Sequence, residues 1–234
     1  MREGITTALL SIVMAISGCT AFGGYDYEIK KEEQESEYSC VYAEIIEFKG
    51  FRNKEFQSEL NLSVSDDVST AILQFDSLAQ DAKEGMPSGV KSTLHITQEV
   101  KRNSGGIISF IEEHYIYLGG AHGSTSWYPK TVNVVSANPH VLSLDELFSD
   151  SGYMDILNRK IEELVEEHPD KYSELWAEPH ISEENKNRFY LTDTDLVIFF
   201  PPYELSYYAK GFIEFPIPLS EINYILNEDF RLEK

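Results

Sequence analysis

A histidine and a serine in the middle of the chain have the residue types of a general base and a nucleophile. His122 is followed by Gly123 and Ser124. A hydroxyl nucleophile needs a base within hydrogen-bond reach and a third group that orients that base. Neighbours in sequence guarantee neither, and the chain contains no Gly-x-Ser-x-Gly or His-Glu-x-x-His motif. We therefore expect no catalytic residues and no enzyme activity.

Metal ligation requires donors at short, regular spacings, and this chain does not show them. Its histidines stand at positions 95, 114, 122, 140, 168 and 180. No pair has His-x-x-x-His spacing, and the chain has neither Cys-x-x-Cys nor a dense aspartate loop. His114 and His122 can meet across a loop, but core or surface roles are favoured for both. We expect no metal site and no cofactor.

A glycine-rich loop is the first candidate binding segment. It consists of Gly119, Gly120, Ala121, His122 and Gly123. Glycines allow unusual backbone angles and the close approach of a partner, and a histidine offers both a donor and an acceptor. The alternative is architectural: the loop turns a tight corner, and the histidine satisfies buried backbone groups. The architectural interpretation is preferred, and the binding role stays open.

An aromatic loop over 201–208 is the second candidate. It contains Tyr203, Tyr207 and Tyr208. Exposed tyrosines suit the recognition of proteins or sugars, because they contribute a large contact area at a small cost in conformational entropy. The alternative is that one or two of these rings pack on a sheet.

The N-terminus predicts export and lipidation. Residues 8–16 form a short apolar run, as in the core of a signal peptide, and too short to span a bilayer. Ile16-Ser17-Gly18-Cys19 then resembles the bacterial lipobox, whose cysteine takes the lipid and becomes the new N-terminus. We expect a signal peptide over 1–18, a membrane anchor on Cys19, and a position in the cell envelope facing out of the cytoplasm; cleavage without lipidation is the alternative. Cys40 is predicted to be a buried structural thiol.

The net charge of −21 restricts the partners. A surface this acidic disfavours nucleic acids and anionic lipid head groups. It accelerates the encounter with basic proteins, peptides or divalent cations. The alternative is that the charge only keeps the protein soluble and monomeric.

The first half of the chain predicts a tether followed by a mixed fold. Residues 19–37 are mostly small, polar and charged, which is typical of a flexible tether. Strands are predicted over 38–48, 90–100, 107–118 and 127–135. A helix is predicted from Asp66-Asp67, because Val68, Ile72, Phe75 and Ala79 then follow at helical spacing. Asn103-Ser104-Gly105-Gly106 joins two of the strands as a hairpin turn.

The second half continues the mixture. An apolar stripe at 154, 157, 161, 164 and 165 predicts a helix that ends at His168-Pro169. Further elements are predicted as a helical turn at 144–148, strands at 196–200 and 212–217, and a helix from 220. We therefore predict an α+β fold with a mainly antiparallel sheet, divided into parts 38–123 and 124–234 that form one compact unit.

Linked motifs in this half resemble a known family. The run from Tyr115 to Gly123 is similar to the Tyr-x-Tyr-x-Gly-Gly-Ala-His motif of the RsiV-type extracytoplasmic domain. Further matching runs are 142–148, 189–191, 196–205, Gly211 and 216–222. Their order and spacing hold over about residues 105–222, and residues 38–104 resemble more loosely the PdaC-type domain that precedes it in the family.

The resemblance implies a binding or sensing module at the cell wall. Family members include the outer part of an anti-sigma factor that binds lysozyme, and a domain attached to the peptidoglycan deacetylase PdaC. Lysozyme, another basic protein or peptidoglycan fragments are therefore the expected partners. A structural or assembly lipoprotein without a soluble ligand is the alternative, and a cell-wall hydrolase is a less favoured one. This chain has Ser206-Tyr207 where the family tends to show Ala-Pro, so the shape of that loop is an open question.

Overall fold

The computed structural model describes residues 24–231, which form two compact units. Within that range the first unit comprises residues 24–99 and 112–127, and the second comprises 100–111 and 128–231. The predicted signal peptide, Cys19 and the start of the predicted tether lie outside the described residues. The parts 38–123 and 124–234 stay a prediction, and the two units have their boundaries at other residues.

A five-stranded sheet has its strands in sequence order. The strands are β1 Tyr27–Glu35, β2 Ser39–Phe48, β3 Ser92–Ser104, β4 Ile107–Tyr117 and β5 Ser124–Asn133. Strands β1 and β2 pair antiparallel, and β2 and β3 pair parallel. Parallel neighbours need a crossover connection, which is provided by the long helix α1, Lys54–Ala82. The predicted hairpin of β3 and β4 is confirmed.

Residues 27–35, which lie in the predicted tether, form strand β1. The tether prediction is wrong for residues 27–35, which pair along their whole length with β2. Lys31 lies directly opposite Glu44 and forms an ion pair of 3.0 Å with it, and Lys49 pairs with Glu28 at 2.6 Å. The charges that were typical of a solvated tether are therefore partners of charges on the next strand.

Helix α1 begins twelve residues before its predicted start, at Lys54 rather than at Asp66. Asn53 caps it, because its side chain accepts a hydrogen bond of 3.0 Å from the Phe56 amide. Phe56, Leu60 and Val64 are buried and extend the predicted apolar stripe in steps of four residues. The predicted start is wrong because the acidic pair at 66–67, although of a residue type that caps helices, lies inside the helix.

The core of the first unit lies between α1 and one face of the sheet. Strand residues of this core are Val41, Ala43, Leu94 and Ile96, and helix residues are Val68, Ile72, Phe75 and Ala79. Cys40 points to the other side of β2 from Val41, as the alternation of a strand requires. It is half-buried and forms no disulfide, so the prediction of a buried thiol is wrong.

The second unit adds a three-stranded antiparallel sheet packed with helices. Its elements are α2 Tyr153–Glu167, α3 Pro169–Tyr172, β6 Phe189–Leu191, β7 Asp195–Phe200, β8 Ile213–Pro218 and α4 Leu219–Ile222. Strand β7 is central, and its apolar residues pack with Leu157 and Ile161 of α2. The predicted α2, β7 and β8 are confirmed, whereas the C-terminal helix is a single turn. The fold is α+β with mainly antiparallel sheets, as predicted, and no helix among residues 24–231 is long and apolar enough to cross a membrane.

Candidate functional site

The glycine-rich loop between β4 and β5 is built around two close contacts. A side chain at Gly119, where φ is +86°, would overlap the Met86 sulfur. A Cβ at Gly123 would lie 2.5 Å from the Tyr115 ring and 2.7 Å from the Ile116 carbonyl oxygen. The positive φ at Gly119 and the backbone contact at Gly123 each give an architectural reason for glycine.

The middle of the same loop reaches solvent. Gly120, Ala121 and His122 are exposed. The His122 Nδ1 lies 2.7 Å from the carbonyl oxygen of Gly123. A carbonyl can only accept, so Nδ1 carries the proton and donates it. This bond orients the ring, and the loop presents a small polar tip between two fixed glycines.

Three tyrosines of the 201–208 loop come together with an unpredicted tryptophan. Tyr203 is 56% exposed and Tyr207 41%, and the rings of Tyr203 and Tyr208 are 5.5 Å apart. Trp176 is 57% exposed, and its indole N–H donates to the Glu204 carbonyl oxygen at 3.2 Å. We call Trp176, Tyr203, Tyr207 and Tyr208 the aromatic surface.

Backbone contacts fix the loop that carries this surface. The Trp176 amide donates to the Leu205 carbonyl oxygen at 2.9 Å, which joins the two segments. Tyr203 has a φ of +71°, in the left-handed region that a bulky side chain rarely adopts. A turn closes around it, since its amide donates to the Ser206 carbonyl oxygen at 3.1 Å. Strain of this kind persists only where the surrounding structure imposes it, and here it holds the Tyr203 ring outward.

Ser206, where this chain departs from the family pattern, has a defined role in the loop. It is buried, and its hydroxyl donates to the Glu174 carbonyl oxygen at 2.8 Å. The next residue, Tyr207, donates its hydroxyl to the Glu174 carboxylate at 2.8 Å. The departure therefore provides two contacts that hold the loop against the segment containing Trp176.

Charges surround the aromatic surface. Glu174 also pairs with Lys210, and a hydrogen bond from that ammonium lowers the pKa of the Glu174 carboxyl. The same carboxylate raises the pKa of Tyr207. Arg188 pairs with Glu204 at 2.5 Å. These pairs are exposed and contribute little to stability, but they leave a fixed, charged rim around the rings.

The chain also has a groove of about 600 Å³ in the second unit, away from the predicted site residues. Its floor includes Leu164 and Ile217. Lys160 spans the rim, at 2.7 Å from Glu163 and 2.9 Å from Glu221. These ion pairs tie α2 to α4, which favours a structural role for the groove.

The arrangement suits contact with a macromolecule. Interface residues that contribute most to binding are enriched in tryptophan, tyrosine and arginine. The aromatic surface combines one tryptophan with three tyrosines, and Arg188 lies in the charged rim beside it. Among the described residues, no group of three or more potential ligands can hold a metal ion. Sequence reasoning missed Trp176, although a lone tryptophan in a polar segment was a signal that could have identified it.

Comparison with protein families gives two matches, in separate parts of the chain. The family described as "Deacetylase PdaC" matches residues 29–125. The family described as "Protein of unknown function (DUF3298)" matches residues 145–220. The comparison with curated protein sequences gives no match.

Two crystal structures share the fold. A DUF3298 family member from Bacteroides fragilis NCTC 9343 is 15% identical, with a TM-score of 0.61 over 97% of this chain and 96% of that chain. A DUF3298 family protein from Pseudomonas aeruginosa PAO1 is 14% identical, with a TM-score of 0.57 over 99% of each chain. The two family matches follow each other in the order found in the resemblance. Residues 29–125 thus resemble the PdaC family and residues 145–220 the DUF3298 family, and the chain shares its fold with two DUF3298 proteins.

Proposed function

We propose that this protein is a lipoprotein of the cell envelope, anchored through Cys19, that acts as a non-catalytic binding module for a basic protein. Lysozyme is the most specific candidate for that partner. A peptidoglycan fragment is a second candidate ligand. The observation that carries the proposal is the aromatic surface of the second unit, where Trp176, Tyr203 and Tyr207 are exposed together on a braced loop.

The exposure of these rings supports a binding role. Soluble proteins bury most large aromatic side chains, so a cluster of exposed ones is informative. Holding Tyr203 at a positive φ costs about 1–3 kcal/mol, a cost that packing alone does not explain for a side chain that is mostly in solvent. A rigid, exposed ring loses little entropy when a partner covers it.

The charge of the protein supports a basic partner. A net charge of −21 attracts cationic proteins over distances of about 10 Å at 0.1 M salt. At the aromatic surface, Glu174 and Glu204 can exchange their internal partners for basic groups of the ligand. Steering by the whole chain and anchoring by the rings are therefore complementary.

Calorimetric titration of the purified protein with lysozyme, at low and moderate salt, tests the proposal. We expect measurable heat at both, with weaker binding at moderate salt. Tyr203→Ala and Trp176→Ala should each weaken binding by about tenfold, which corresponds to about 1.4 kcal/mol. Tyr224→Ala is the matched control, because Tyr224 is 67% exposed and belongs to no part of the aromatic surface.

The outcomes separate function from site. No heat and no retention on immobilised lysozyme at either salt would end the lysozyme version. If lysozyme binds and neither alanine substitution changes the affinity, the proposed function stands and the aromatic surface is not the binding site. The mass of the mature protein tests the anchor: a lipid on Cys19 adds its mass to residues 19–234, whereas an unmodified mass contradicts the lipoprotein proposal.

A further inference from the structure

The sheet of the first unit has an open face opposite α1. Along β3, His95, Thr97 and Glu99 are exposed, whereas Leu94 and Ile96 between them are buried against the helix. Residues alternate between the two faces of a strand. The open face therefore carries the odd-numbered residues of β3 and their neighbours on the adjoining strands.

Aromatic side chains form a row across this open face. Tyr42 of β2 lies opposite His95 in the strand register, and their rings stack at 4.8 Å. On β4, the Tyr115 ring meets the other side of His95, at 6.2 Å. Two residues along β4, Glu113 accepts a hydrogen bond of 2.6 Å from the Trp127 indole of β5. We call Tyr42, His95, Tyr115 and Trp127 the sheet-face row, which spans four strands.

The charged residues beside this row are mainly carboxylates. Glu33 of β1 lies directly opposite Tyr42 in the register. Glu99 and Glu113 have the same strand parity as the rings on β3 and β4. Two lysines beside the row are paired: Lys31 with Glu44 at 3.0 Å and Lys91 with Glu35 at 2.8 Å. The face therefore combines two exposed rings, Tyr42 and His95, and two half-buried ones with more carboxylates than lysines.

We propose that the sheet-face row is a docking surface for a basic polypeptide segment. A guanidinium group stacks on tyrosine and tryptophan rings and forms hydrogen bonds to carboxylates. Glu113 suits this role because a carboxylate can accept from the indole and from an incoming guanidinium at the same time. The surface is formed by residues of the first unit and does not depend on the function proposed for the aromatic surface.

Charge decides between the occupants of this face. A nucleic acid or an anionic lipid would meet repulsion from Glu33, Glu99 and Glu113. A second copy of this chain would bring its own net charge of −21. A neutral oligosaccharide could use the rings but would gain nothing from the carboxylates. A polypeptide rich in arginine uses both, so it is the occupant that the observations favour.

Fluorescence anisotropy with a labelled octapeptide of alternating glycine and arginine tests the inference on the full chain. We expect binding that weakens steeply with salt. The double variant Tyr42→Ala/His95→Ala should weaken it about tenfold, whereas Tyr42→Phe, which keeps the ring, should change it less than twofold. Glu99→Gln should weaken binding about threefold and reduce its salt dependence. Asp81→Asn on the exposed side of α1 is the charge-matched control and should change it less than Glu99→Gln does.

Three results would overturn the inference. One is unchanged affinity in the double variant, whose folding is checked by circular dichroism. Another is equal loss with Asp81→Asn and Glu99→Gln, which would show general attraction without a site. The third is stronger binding of a neutral N-acetylglucosamine oligomer than of the peptide at this face. Tyr203→Ala separates the two proposals, because it should reduce lysozyme binding and leave peptide binding unchanged.

Discussion

A buried polar network in the first unit gives the most direct test of the structure. Gln98 accepts a hydrogen bond of 2.6 Å from the Ile46 amide and donates one of 2.5 Å to the Glu112 carboxylate. Glu112 also contacts the Nε2 of His114 at 2.7 Å. All three side chains are buried. The substitution Gln98→Met keeps the volume of the side chain and removes both of its hydrogen bonds.

The expected loss of stability follows from the groups that remain. Ile46 is 1% exposed and Glu112 is 2% exposed, so water replaces neither bond without local rearrangement. An unsatisfied buried group costs about 1–3 kcal/mol, and more when it is charged. The two together lower the free energy of unfolding by roughly 3–5 kcal/mol. At a urea m-value of about 2–3 kcal/mol/M, the midpoint should fall by about 1–2.5 M.

The two tryptophans allow this loss to be assigned to a unit. Trp127 belongs to the first unit and Trp176 to the second. In a Trp176→Phe background, urea unfolding followed by tryptophan fluorescence reports on the unit that contains Gln98. Gln80→Met, at an exposed position of α1, is the control and should shift the free energy by less than about 0.5 kcal/mol. A Gln98→Met midpoint within about 0.3 M of the parent would refute the reasoning.

Two further predictions concern a backbone contact and a titrating side chain. Gly123→Ala should lower the free energy of unfolding by about 1–3 kcal/mol, because the added Cβ meets a backbone carbonyl oxygen that cannot rotate away. Gly85→Ala is the control: the added Cβ has open space, so this variant should be nearly neutral in the same urea experiment. The Asn138 carbonyl and then the Glu146 carboxylate raise the pKa of His140 above 6.5, so its small stabilising contribution is present below pH 6.5 and is lost as pH rises through the higher folded value. NMR titration should show this pKa, and Glu146→Gln should bring it back toward 6.5; a value at or below 6.5 in the parent protein would contradict the geometry.

Local periodicity predicted the elements whose signal lies within the element itself. Strand β3 alternates strictly, and α2 carries an apolar stripe at helical spacing, so both were found from sequence. Strand β1 was missed because its charged residues find their partners on β2, and such pairing does not appear in composition. The start of α1 was not predicted because Asn53 and the acidic pair at 66–67 are all of residue types that cap helices, and sequence alone does not show which of them is the cap.

Among the candidate site residues, too, some can be predicted from local sequence and others depend on contacts between distant segments. Tyr203, Tyr207 and Tyr208 are predicted from their residue type and spacing and do come together, but Trp176 joins them through a contact between distant segments. Gly119 and Gly123 are predicted to have either an architectural or a binding role, and the structure gives an architectural reason for glycine at each. Sequence alone does not supply that reason, because it depends on the backbone angle and on which atom lies next to each glycine.

The acidity of the chain and its exposed rings should act on different steps of association. Long-range charge mainly raises the rate of encounter, so neutralising acids away from the rings lowers the association rate and leaves dissociation nearly unchanged. Contacts that form only in the complex mainly set the dissociation rate. Surface plasmon resonance with lysozyme should therefore show slower association for a charge-removing variant such as Glu59→Gln/Asp81→Asn, and faster dissociation for Tyr203→Ala. If both variants changed only the association rate, the rings would not contribute contacts to the complex. Binding would then depend on net charge alone, which would contradict a defined lysozyme site at the aromatic surface.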